Sequence, residues 1–510
     1  MTRTCFEYHQ ETSYDRNRMG GHFLDWANQP NVFKTYEGRE PVGLPREVEL
    51  PRRRLFSLLL DRGPEGLSQG MDLESLSKVL LLTNTVTARA RSQEGDFYFR
   101  SAASAGALYP TEIYTSTHGV KGLADGLYHF AIHSHGLVPL RTGDFGAAVL
   151  EAAGAEDKAP PVVVFFLTAI FFRSAWKYRA RAYRYHLMDT GHVEENLVLP
   201  LKALGLPYRV SYDFDDGQVN RLLGLDEGKE VALTLVFLKG PGETAAQGGV
   251  EIDELPEPIL KASRVSAKEV DYPAIRQIHE AGNRRLRMPP HPALSPNPRE
   301  RDLLAKEMVG ELGITPRNWS PVETAGSWPE IIDYPDAVFR RRSRRNFVKN
   351  ALSKEAMKAF LRSVCRSDGP AYDQSIAVGF LVGQAEDMDP GFYLLDRERE
   401  SWALVSSGQL MARSTSICLD QAWLVNAGVH FLFLSNLEVL EKTWGPRGYR
   451  YAMLTAGRLG QRIYVAAEAM GLGCCGIGAF YDWEASGLLG LNEGSRLLYL
   501  VAVGEVKENQ

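Results

Sequence analysis

The segment that decides the fold is residues 183–228, YRYHLMDTGHVEENLVLPLKALGLPYRVSYDFDDGQVNRLLGLDEG. It recurs without a gap as YRYAMLTAGRLGQRIYVAAEAMGLGCCGIGAFYDWEASGLLGLNEG at residues 449–494, a constant shift of 266 positions. Of the 46 aligned positions, 15 are identical, including the opening Tyr-Arg-Tyr and the Leu-Leu-Gly-Leu near the end. Self-similarity at a fixed spacing is the signature of a duplicated structural unit. The chain is therefore interpreted as a tandem duplication.

Both copies show the same coarse order of elements. An amphipathic helix, such as residues 458–470, ends at Gly471 and is followed by a Leu-Leu-Gly-Leu turn and an apolar strand. Intermixed helices and strands predict an α+β fold. Apolar, β-branched and aromatic runs predict strands at residues 112–117, 162–172, 231–237, 428–434 and 498–503.

The duplication predicts three regions. Residues 1–240 are expected to form an N-terminal domain with an N-terminal extension, and residues 326–510 a C-terminal domain. Between them, residues 241–325 are predicted to be a linker with two helices. The Pro-rich and charged stretches GPGETAAQGG and MPPHPALSPNP indicate this, because such compositions are typical of connections between domains.

Composition narrows the class of protein. The 510 residues carry a net charge of −5 and an isoelectric point near 6.2, so neither nucleic acid nor a membrane is expected as a partner. Five cysteines, an odd number, argue against a disulfide framework and for a reducing compartment. The first residues lack the apolar region of a signal peptide. We therefore expect a cytoplasmic enzyme or binding protein.

A basic run at residues 340–347, RRRSRRNF, is a candidate phosphate site. The planar guanidinium group suits phosphate because it donates two parallel hydrogen bonds. In an extended segment alternate residues face one way, so Arg341, Ser343 and Arg345 are expected to converge on one phosphate. On charge alone, a solvated basic patch before a helix remains the alternative.

Two runs of small residues could approach a flat ring closely. Residues 104–110, SAGALYP, precede a predicted strand, and residues 471–480, GLGCCGIGAF, follow a helix. The second run matches Gly-x-Gly-x-x-Gly, but a dinucleotide-binding motif would link a strand to a helix. A glycine-lined loop that offers backbone N–H groups to a flat ring fits better. Cys474 and Cys475 are read as small buried residues, with a redox-active pair as the alternative.

Lys177 and Tyr178 lie immediately before the repeated helix. A lysine beside a tyrosine can form an acid–base pair if burial lowers the lysine pKa. An ordinary helix start is the alternative. No cluster of His, Cys, Asp or Glu has metal-ligand spacing, so no metal is expected.

Together these segments resemble the nitroreductase-like flavoprotein superfamily, and more closely its SagB-type branch, which includes thiazoline and oxazoline oxidases. The family's R-R-S-x-R-x-F is met by residues 341–347, and its P-S-A-G-A-L-Y-P by residues 103–110, with alanine for the first proline. Its G-L-G-x-x-x-I-G-A-F is met by residues 471–480. Its K-Y-x-x-R-x-Y-R-Y, which supplies a catalytic Lys-Tyr pair in the azoline oxidases, begins here at Lys177.

The two copies have lost different motifs. The second copy shows residues 369–375, GPAYDQS, in place of S-A-G-A-L-Y-P, and has Thr443 and Trp444 at the Lys-Tyr positions. In the first copy the arginine segment has decayed to residues 52–56, RRRLF, and the glycine segment to residues 207–214, PYRVSYDF. The copies have thus kept complementary halves of one site.

The resemblance implies two fused nitroreductase-like domains with a mixed, mainly antiparallel sheet flanked by helices, forming an intramolecular pseudo-dimer. It implies FMN as cofactor, with one site at the interface of the repeats. Lys177 and Tyr178 would then be catalytic. The residues expected to bind the cofactor are Arg341, Ser343, Arg345, Ser104, Ala105, Gly106, Ala107, Ile477, Gly478 and Ala479.

Three functions remain open from the sequence. The first is an FMN-dependent oxidase or dehydrogenase that transfers hydride from an azoline-like or peptide-derived substrate to the flavin. The second is an NAD(P)H-dependent nitro- or quinone reductase, although no residue points to a nicotinamide subsite. The third is a flavin-binding or scaffold protein without catalysis. A monomer is feasible for an internal pseudo-dimer, with a homo-oligomer as the alternative.

Overall fold

The computed structural model describes most of the chain, and no helix in the described part is long and apolar enough to cross a membrane. The stretches GPGETAAQGG (apart from its first glycine) and MPPHPALSPNP lie outside the described residues. The described residues are 3–61, 63, 64, 66, 70–92, 95–154, 160–240, 252–285, 308–324, 327–365 and 371–507.

The chain divides into two compact units, each assembled from more than one stretch of sequence. The N-terminal unit contains Phe23–Pro51 and Gly63–Pro290. The C-terminal unit contains Met1–His22, Arg52–Arg62 and His291–Gln510. Two short pieces from the beginning of the chain therefore fold with the second repeat.

A seven-stranded antiparallel sheet forms the centre of the N-terminal unit. Its strands, together with those of a separate hairpin, are β1 Val42–Gly43, β2 Val86–Ser92, β3 Gly95–Arg100, β4 Thr111–Thr117, β5 Gly126–Ala131, β6 Gly136–Thr142, β7 Val163–Ile170, β8 Tyr208–Ser211 and β9 Glu230–Leu238. The order in the sheet is β1-β6-β5-β4-β7-β9-β8, and β2 pairs with β3 in the hairpin. The helices of this unit are Leu73–Thr83, Gly146–Ala152, Phe171–Tyr178, Ala182–Ala203, Asp216–Leu223, Glu257–Lys261 and Pro273–Ala281.

The C-terminal unit repeats this sheet. Its strands are β10 Arg317–Pro321, β11 Ala377–Val382, β12 Gly391–Asp396, β13 Ser401–Ser407, β14 Val429–Asn436, β15 Gly473–Ile477 and β16 Ser495–Gly504. The order is β10-β13-β12-β11-β14-β16-β15, the counterpart of the first sheet strand by strand. The helices of this unit are Cys5–Glu11, Leu55–Leu60, Tyr334–Arg340, Lys354–Cys365, Met411–Ile417, Leu437–Trp444, Arg447–Ala469 and Asp482–Leu489.

The shift of 266 positions extends well beyond the segment that revealed it. Val163–Ile170 and Val429–Asn436 are related by this shift at both ends, and so are Phe171–Tyr178 and Leu437–Trp444. All described pairings within the two seven-stranded sheets are antiparallel. The predicted α+β fold with two repeated domains is confirmed, although the described strand pairings are wholly antiparallel and not mixed.

Local sequence explains the boundaries of the repeated elements. The apolar run predicted as a strand ends at Ile170, and its last two phenylalanines begin the next helix. Helix Asp216–Leu223 begins where the Asp215 carboxylate accepts a hydrogen bond from the Gln218 N–H, and ends at Gly224 with φ +66°. A left-handed residue at a helix C-terminus favours glycine. Helices Glu257–Lys261 and Pro273–Ala281 lie within residues 241–325, and both belong to the N-terminal unit.

The first piece of the chain packs on the second repeat through a buried polar contact. In helix Cys5–Glu11, the backbone N–H of Cys5 donates to the Glu441 carboxylate at 2.8 Å. The His9 ring lies 3.0 Å from the Tyr449 hydroxyl and 3.3 Å from the Asp482 carboxylate. The segment Met1–His22 is therefore an integral part of the C-terminal unit.

The residues read as the first copy's decayed arginine segment also belong to the C-terminal unit. Arg54 pairs with Glu330, and the ring of Phe56 stacks on that of Trp328 at a centroid distance of 5.0 Å. Arg52–Arg54 precede helix Leu55–Leu60, whereas Arg341–Arg345 follow helix Tyr334–Arg340. The two arginine segments therefore occupy different places relative to their neighbouring helices.

Candidate functional site

The segment Ser104–Pro110, here called the small-residue loop, connects the β2–β3 hairpin to the central strand β4. Its backbone is unusual, because Gly106, Ala107 and Tyr109 have φ values of +65°, +55° and +47°. Non-glycine residues in this left-handed region carry strain and persist only where the surroundings hold them. The loop therefore needs anchors, and these lie at both of its ends.

At the first end of the loop, the anchor is a carboxylate from the long helix Ala182–Ala203. The Ser104 hydroxyl donates to Asp189 at 2.6 Å, and the Ala105 N–H donates to the same carboxylate at 3.1 Å. At the other end, the Arg100 N–H donates to the Tyr109 hydroxyl at 3.0 Å, and Arg173 donates to the Tyr109 carbonyl at 2.9 Å. The strained middle of the loop is thus fixed from both sides.

Lys177 and Tyr178 lie directly against this loop. They end helix Phe171–Tyr178. A Cβ atom added to Gly106 would lie 2.8 Å from the Tyr178 Oη and 3.3 Å from the Lys177 Nζ. The Tyr178 ring packs on the Tyr185 ring at 4.3 Å between centroids. Within the N-terminal unit, the structure therefore brings together the predicted small-residue loop and the predicted Lys-Tyr pair.

Sequence reasoning missed Asp189. Its carboxyl is buried, and burial raises its pKa to about 7, although the hydrogen bonds from Ser104 and Ala105 oppose this shift. The equivalent position in the second copy is Thr455, and that copy also lacks the Ser-Ala-Gly sequence. The second copy has thus lost both the loop sequence and the aspartate of the long helix. This joint loss was the feature of the sequence that could have identified Asp189.

In the C-terminal unit, the arginine segment and the glycine segment meet at one tyrosine. The Ser343 and Tyr464 hydroxyls share a hydrogen bond of 3.0 Å, and the Gly476 N–H donates to the Tyr464 hydroxyl at 2.6 Å. The guanidinium carbon of Arg341 lies 5.4 Å from the centroid of the same ring. Tyr464 was not predicted, because only the folded chain shows that it connects the two segments.

This part of the C-terminal unit carries an excess of positive charge. Burial raises the pKa of the Glu468 carboxyl. The arginines of the basic run oppose this shift because they favour the charged form. Four arginines act on this single carboxyl: Arg340, Arg341, Arg342 and Arg344. An anionic ligand would fit such a surrounding, since guanidinium groups pair well with phosphate.

The glycine segment differs from the prediction in one respect. Gly473–Ile477 is strand β15, paired with β16, and not a loop; the irregular part is confined to the residues that follow, beginning with Gly478 and Ala479. A Cβ on Gly476 would lie 1.8 Å from the Tyr499 hydroxyl, so the strand needs glycine there. The strand follows a helix and is not followed by one at once, which agrees with rejection of the dinucleotide motif.

The adjacent cysteines show no sign of activation. Burial raises the pKa of Cys474 well above its ordinary value, and burial also raises that of Cys475 despite the nearby Arg345 guanidinium. Reactive cysteines need a lowered pKa. All five cysteines of the chain are free and buried. These features favour the reading of the pair as small buried residues.

Each unit fills the place where the other keeps a small residue. Tyr372 stands at the position equivalent to Gly106, and its ring packs on the Tyr451 ring at 4.5 Å between centroids. Tyr212 stands at the position equivalent to Gly478, is buried, and donates a hydrogen bond of 2.9 Å to Glu194. A tyrosine side chain therefore replaces the small residue in each of these places.

The predicted site residues thus form two groups, one in each unit. The first contains Ser104, Ala105, Gly106, Ala107, Lys177 and Tyr178, and the second contains Arg341, Ser343, Arg345, Ile477, Gly478 and Ala479. Among the residues that the structure describes, no group of three or more His, Cys, Asp or Glu side chains is placed to hold a metal ion.

Comparison with known proteins places these features in a wider context. The family model described as the nitroreductase family matches residues 68–240 and 338–505, one match in each copy. A candidate nitroreductase of Methanocaldococcus jannaschii is 29% identical over 192 residues, which span 36% of this chain and 93% of that protein. The trifolitoxin-processing protein TfxB of Rhizobium leguminosarum bv. trifolii is 27% identical over 231 residues, which span 43% of this chain and 62% of that protein.

A solved structure also has this fold. The crystal structure of a candidate nitroreductase from Anabaena variabilis matches with a TM-score of 0.75 and 24% identity. The match covers 98% of this chain and 99% of that one.

Proposed function

Because the chain belongs to the nitroreductase family, we propose that it is an FMN-dependent oxidase or dehydrogenase with an azoline-like or peptide-derived substrate. The observation that carries this proposal is the contact between the small-residue loop and the Lys-Tyr pair. Gly106 leaves room for the ends of both side chains, Lys177 Nζ and Tyr178 Oη. The similarity to TfxB, which is named as a trifolitoxin-processing protein, supports a substrate of that class.

The residues of the C-terminal unit fit the phosphate of FMN. We propose that Arg341, Ser343 and Arg345 bind the phosphate beside an excess of positive charge, and that the segment of Ile477, Gly478 and Ala479 contacts the flavin through its backbone. When bound, FMN supplies a ring that accepts a hydride from the substrate. The protein's task is then to hold the reactants in place and to move a proton.

Lys177 and Tyr178 are proposed to move that proton. The substrate loses a proton and a hydride, and a base must take the proton. The Lys177 amine nitrogen lies 5.5 Å from the centroid of the Tyr178 ring, and the ends of both side chains border Gly106. The backbone of Ser104–Ala107 limits where their ends can lie.

One FMN per chain is proposed, because each unit retains only one group of site residues. Tyr372 replaces the glycine of the small-residue loop in the second copy, and Tyr212 replaces a glycine of the cofactor segment in the first.

A second candidate is an NAD(P)H-dependent nitro- or quinone reductase. The similarity to the Methanocaldococcus jannaschii protein favours this candidate, since that protein is named for such an activity. Stopped-flow measurement separates the two. Rapid reduction of bound flavin by NADH or NADPH identifies the reductase, and no reduction on mixing favours the oxidase or dehydrogenase.

The first experiment is to purify the full chain and to quantify the flavin released on denaturation. We expect about one FMN per chain. Two FMN per chain would contradict the single site, and no flavin after incubation with excess FMN would end the enzyme proposal.

The second experiment substitutes the proposed base. Lys177→Ala is expected to lower turnover by about 10²–10⁴-fold with unchanged flavin content. Thr443→Ala, at the equivalent position of the other copy, is the matched control and should keep full turnover. Full activity of the Lys177 variant would remove this residue from the mechanism.

A further inference from the structure

Asp189 stands out as a buried carboxyl that no step of the proposed reaction uses. It belongs to the long helix Ala182–Ala203 and is 4% exposed. Its contacts are the Ser104 hydroxyl at 2.6 Å and the Ala105 N–H at 3.1 Å and 3.2 Å from its two oxygens. Among the described residues, no cation is paired with it. A buried carboxyl without a cationic partner is costly, so a compensating role is expected.

The small-residue loop needs what this carboxyl provides. Ser104 also accepts a hydrogen bond from the Tyr109 N–H at 2.9 Å, so the Asp189–Ser104 contact continues across the loop. Between Ser104 and Tyr109 lie Gly106 and Ala107, both with positive φ. Strained backbone of this kind persists only where its surroundings over-determine it. At the first end of the loop, the Asp189 carboxylate holds this backbone in place.

The second repeat ties the equivalent turn to its long helix in a different way. There the carboxylate is on the turn itself: Asp373 lies 3.6 Å from Arg458 of helix Arg447–Ala469 and 3.5 Å from Arg397. Both copies therefore anchor this turn by a carboxylate. In the first copy the carboxylate accepts hydrogen bonds from the loop, and a glycine lies beside Lys177.

We propose that Asp189 is a positioning residue, which holds the small-residue loop so that Gly106 stays against Lys177 and Tyr178. The consequence for the reaction rests on the proposed function. The positioning itself does not, because it concerns contacts within the N-terminal unit alone. Asp189 makes its hydrogen bonds to the loop and acts through it.

The test measures the loop directly, in the full chain as purified. Hydrogen exchange of a peptide that covers residues 101–111 is compared among the wild type, Asp189→Ala and Asp189→Asn. Loss of the two hydrogen bonds in the alanine variant should speed exchange at Ala105–Tyr109 by about tenfold or more. The asparagine variant keeps one acceptor oxygen and should fall between the two.

A second readout follows the lysine. The rate at which Lys177 is acetylated by a small reagent is measured by mass spectrometry, and it should rise about severalfold in Asp189→Ala, since a displaced Gly106 uncovers the amine. Thr455→Ala, at the equivalent position of the second repeat, is the control and should change neither rate. If the alanine variant does not fold, the nearly isosteric asparagine variant carries both measurements.

The outcomes separate this proposal from the proposed function. Unchanged exchange and labelling in Asp189→Ala would overturn the positioning role, even if the wild type binds FMN and turns over. Faster exchange that extends equally to strands β4 and β7 would overturn it too, because the residue would then be a general structural support. If the wild type binds no FMN but Asp189→Ala shows the expected local changes, the enzyme proposal is refuted and the positioning role stands.

Discussion

Substitution of Gly106 by alanine tests the contact on which the proposed function depends. Gly106 has φ +65°, and a Cβ there would lie 2.8 Å from Tyr178 Oη and 3.3 Å from Lys177 Nζ. Two costs arise. An alanine in the left-handed region loses about 1–2 kcal/mol. In addition, the phenol must retreat by roughly 0.7 Å to regain ordinary contact distance, and overpacking of this kind costs about 1–3 kcal/mol.

Gly119 provides a matched control for the backbone cost. Its φ is +69°, and a Cβ there would have no neighbour within 4 Å. Gly119→Ala should therefore lower the free energy of unfolding by only about 1–2 kcal/mol. Gly106→Ala should lower it by about 2–5 kcal/mol, and the difference between the two variants isolates the contact with the Lys-Tyr pair.

The assays are urea unfolding followed by circular dichroism, and the rate of substrate-dependent flavin reduction. A displacement of reacting groups approaching 1 Å can reduce a rate by about 10²-fold. Gly106→Ala should thus lose one to two orders of magnitude in rate, roughly, while Gly119→Ala keeps it. Equal stability of the two variants together with full activity of Gly106→Ala would refute the described contact.

Three further predictions concern charge and packing. The pKa of Asp189 in the folded chain is about 7 against an ordinary value of 3.8, so the folded chain binds more protons than the unfolded chain between these pH values. The free energy of unfolding should therefore fall as pH rises through this window, by about 4 kcal/mol at most. In urea titrations, Asp189→Asn should flatten this pH dependence. Arg341→Ala should weaken FMN binding by about 10–100-fold in equilibrium dialysis, and the exposed Arg413→Ala should not. Gly476→Ala should lower the thermal midpoint far more than Gly487→Ala, since a Cβ meets the Tyr499 hydroxyl at 1.8 Å in the first case and nothing within 4 Å in the second.

Much of the fold could be predicted because it is repeated. The ungapped shift found at residues 183–228 also relates the central strands β7 and β14 and the helices that follow them. The predicted apolar strands agree with the observed ones to within three residues at each end, because such strands are buried along their whole length. By contrast, the pairing of β15 was not predicted. Glycine and cysteine are poor indicators of a strand, and its neighbour β16 decides the conformation.

The side chains that organise each group of site residues escaped prediction for a different physical reason. Asp189 and Tyr464 sit in the middle of long, buried helices, where sequence periodicity describes the face of the helix and not its partners. Their partners, Ser104 and Ser343, are 85 and 121 residues away in the chain. Such contacts can be inferred from one sequence only when a second copy shows what is lost together.

The residues that differ between the two copies at equivalent positions give that inference a physical basis. Glycine at position 106 leaves space that the ends of Lys177 and Tyr178 occupy, whereas the equivalent Tyr372 packs on the ring of Tyr451. Where the glycine is gone, the lysine and tyrosine of the pair have become Thr443 and Trp444. Once a tyrosine fills the turn, an amine at the end of the neighbouring helix would no longer lie beside a glycine. A reversion of Tyr372 to glycine alone should therefore create a cavity and destabilise the C-terminal unit by about 3–5 kcal/mol, as for other buried aromatic side chains, without restoring any activity there.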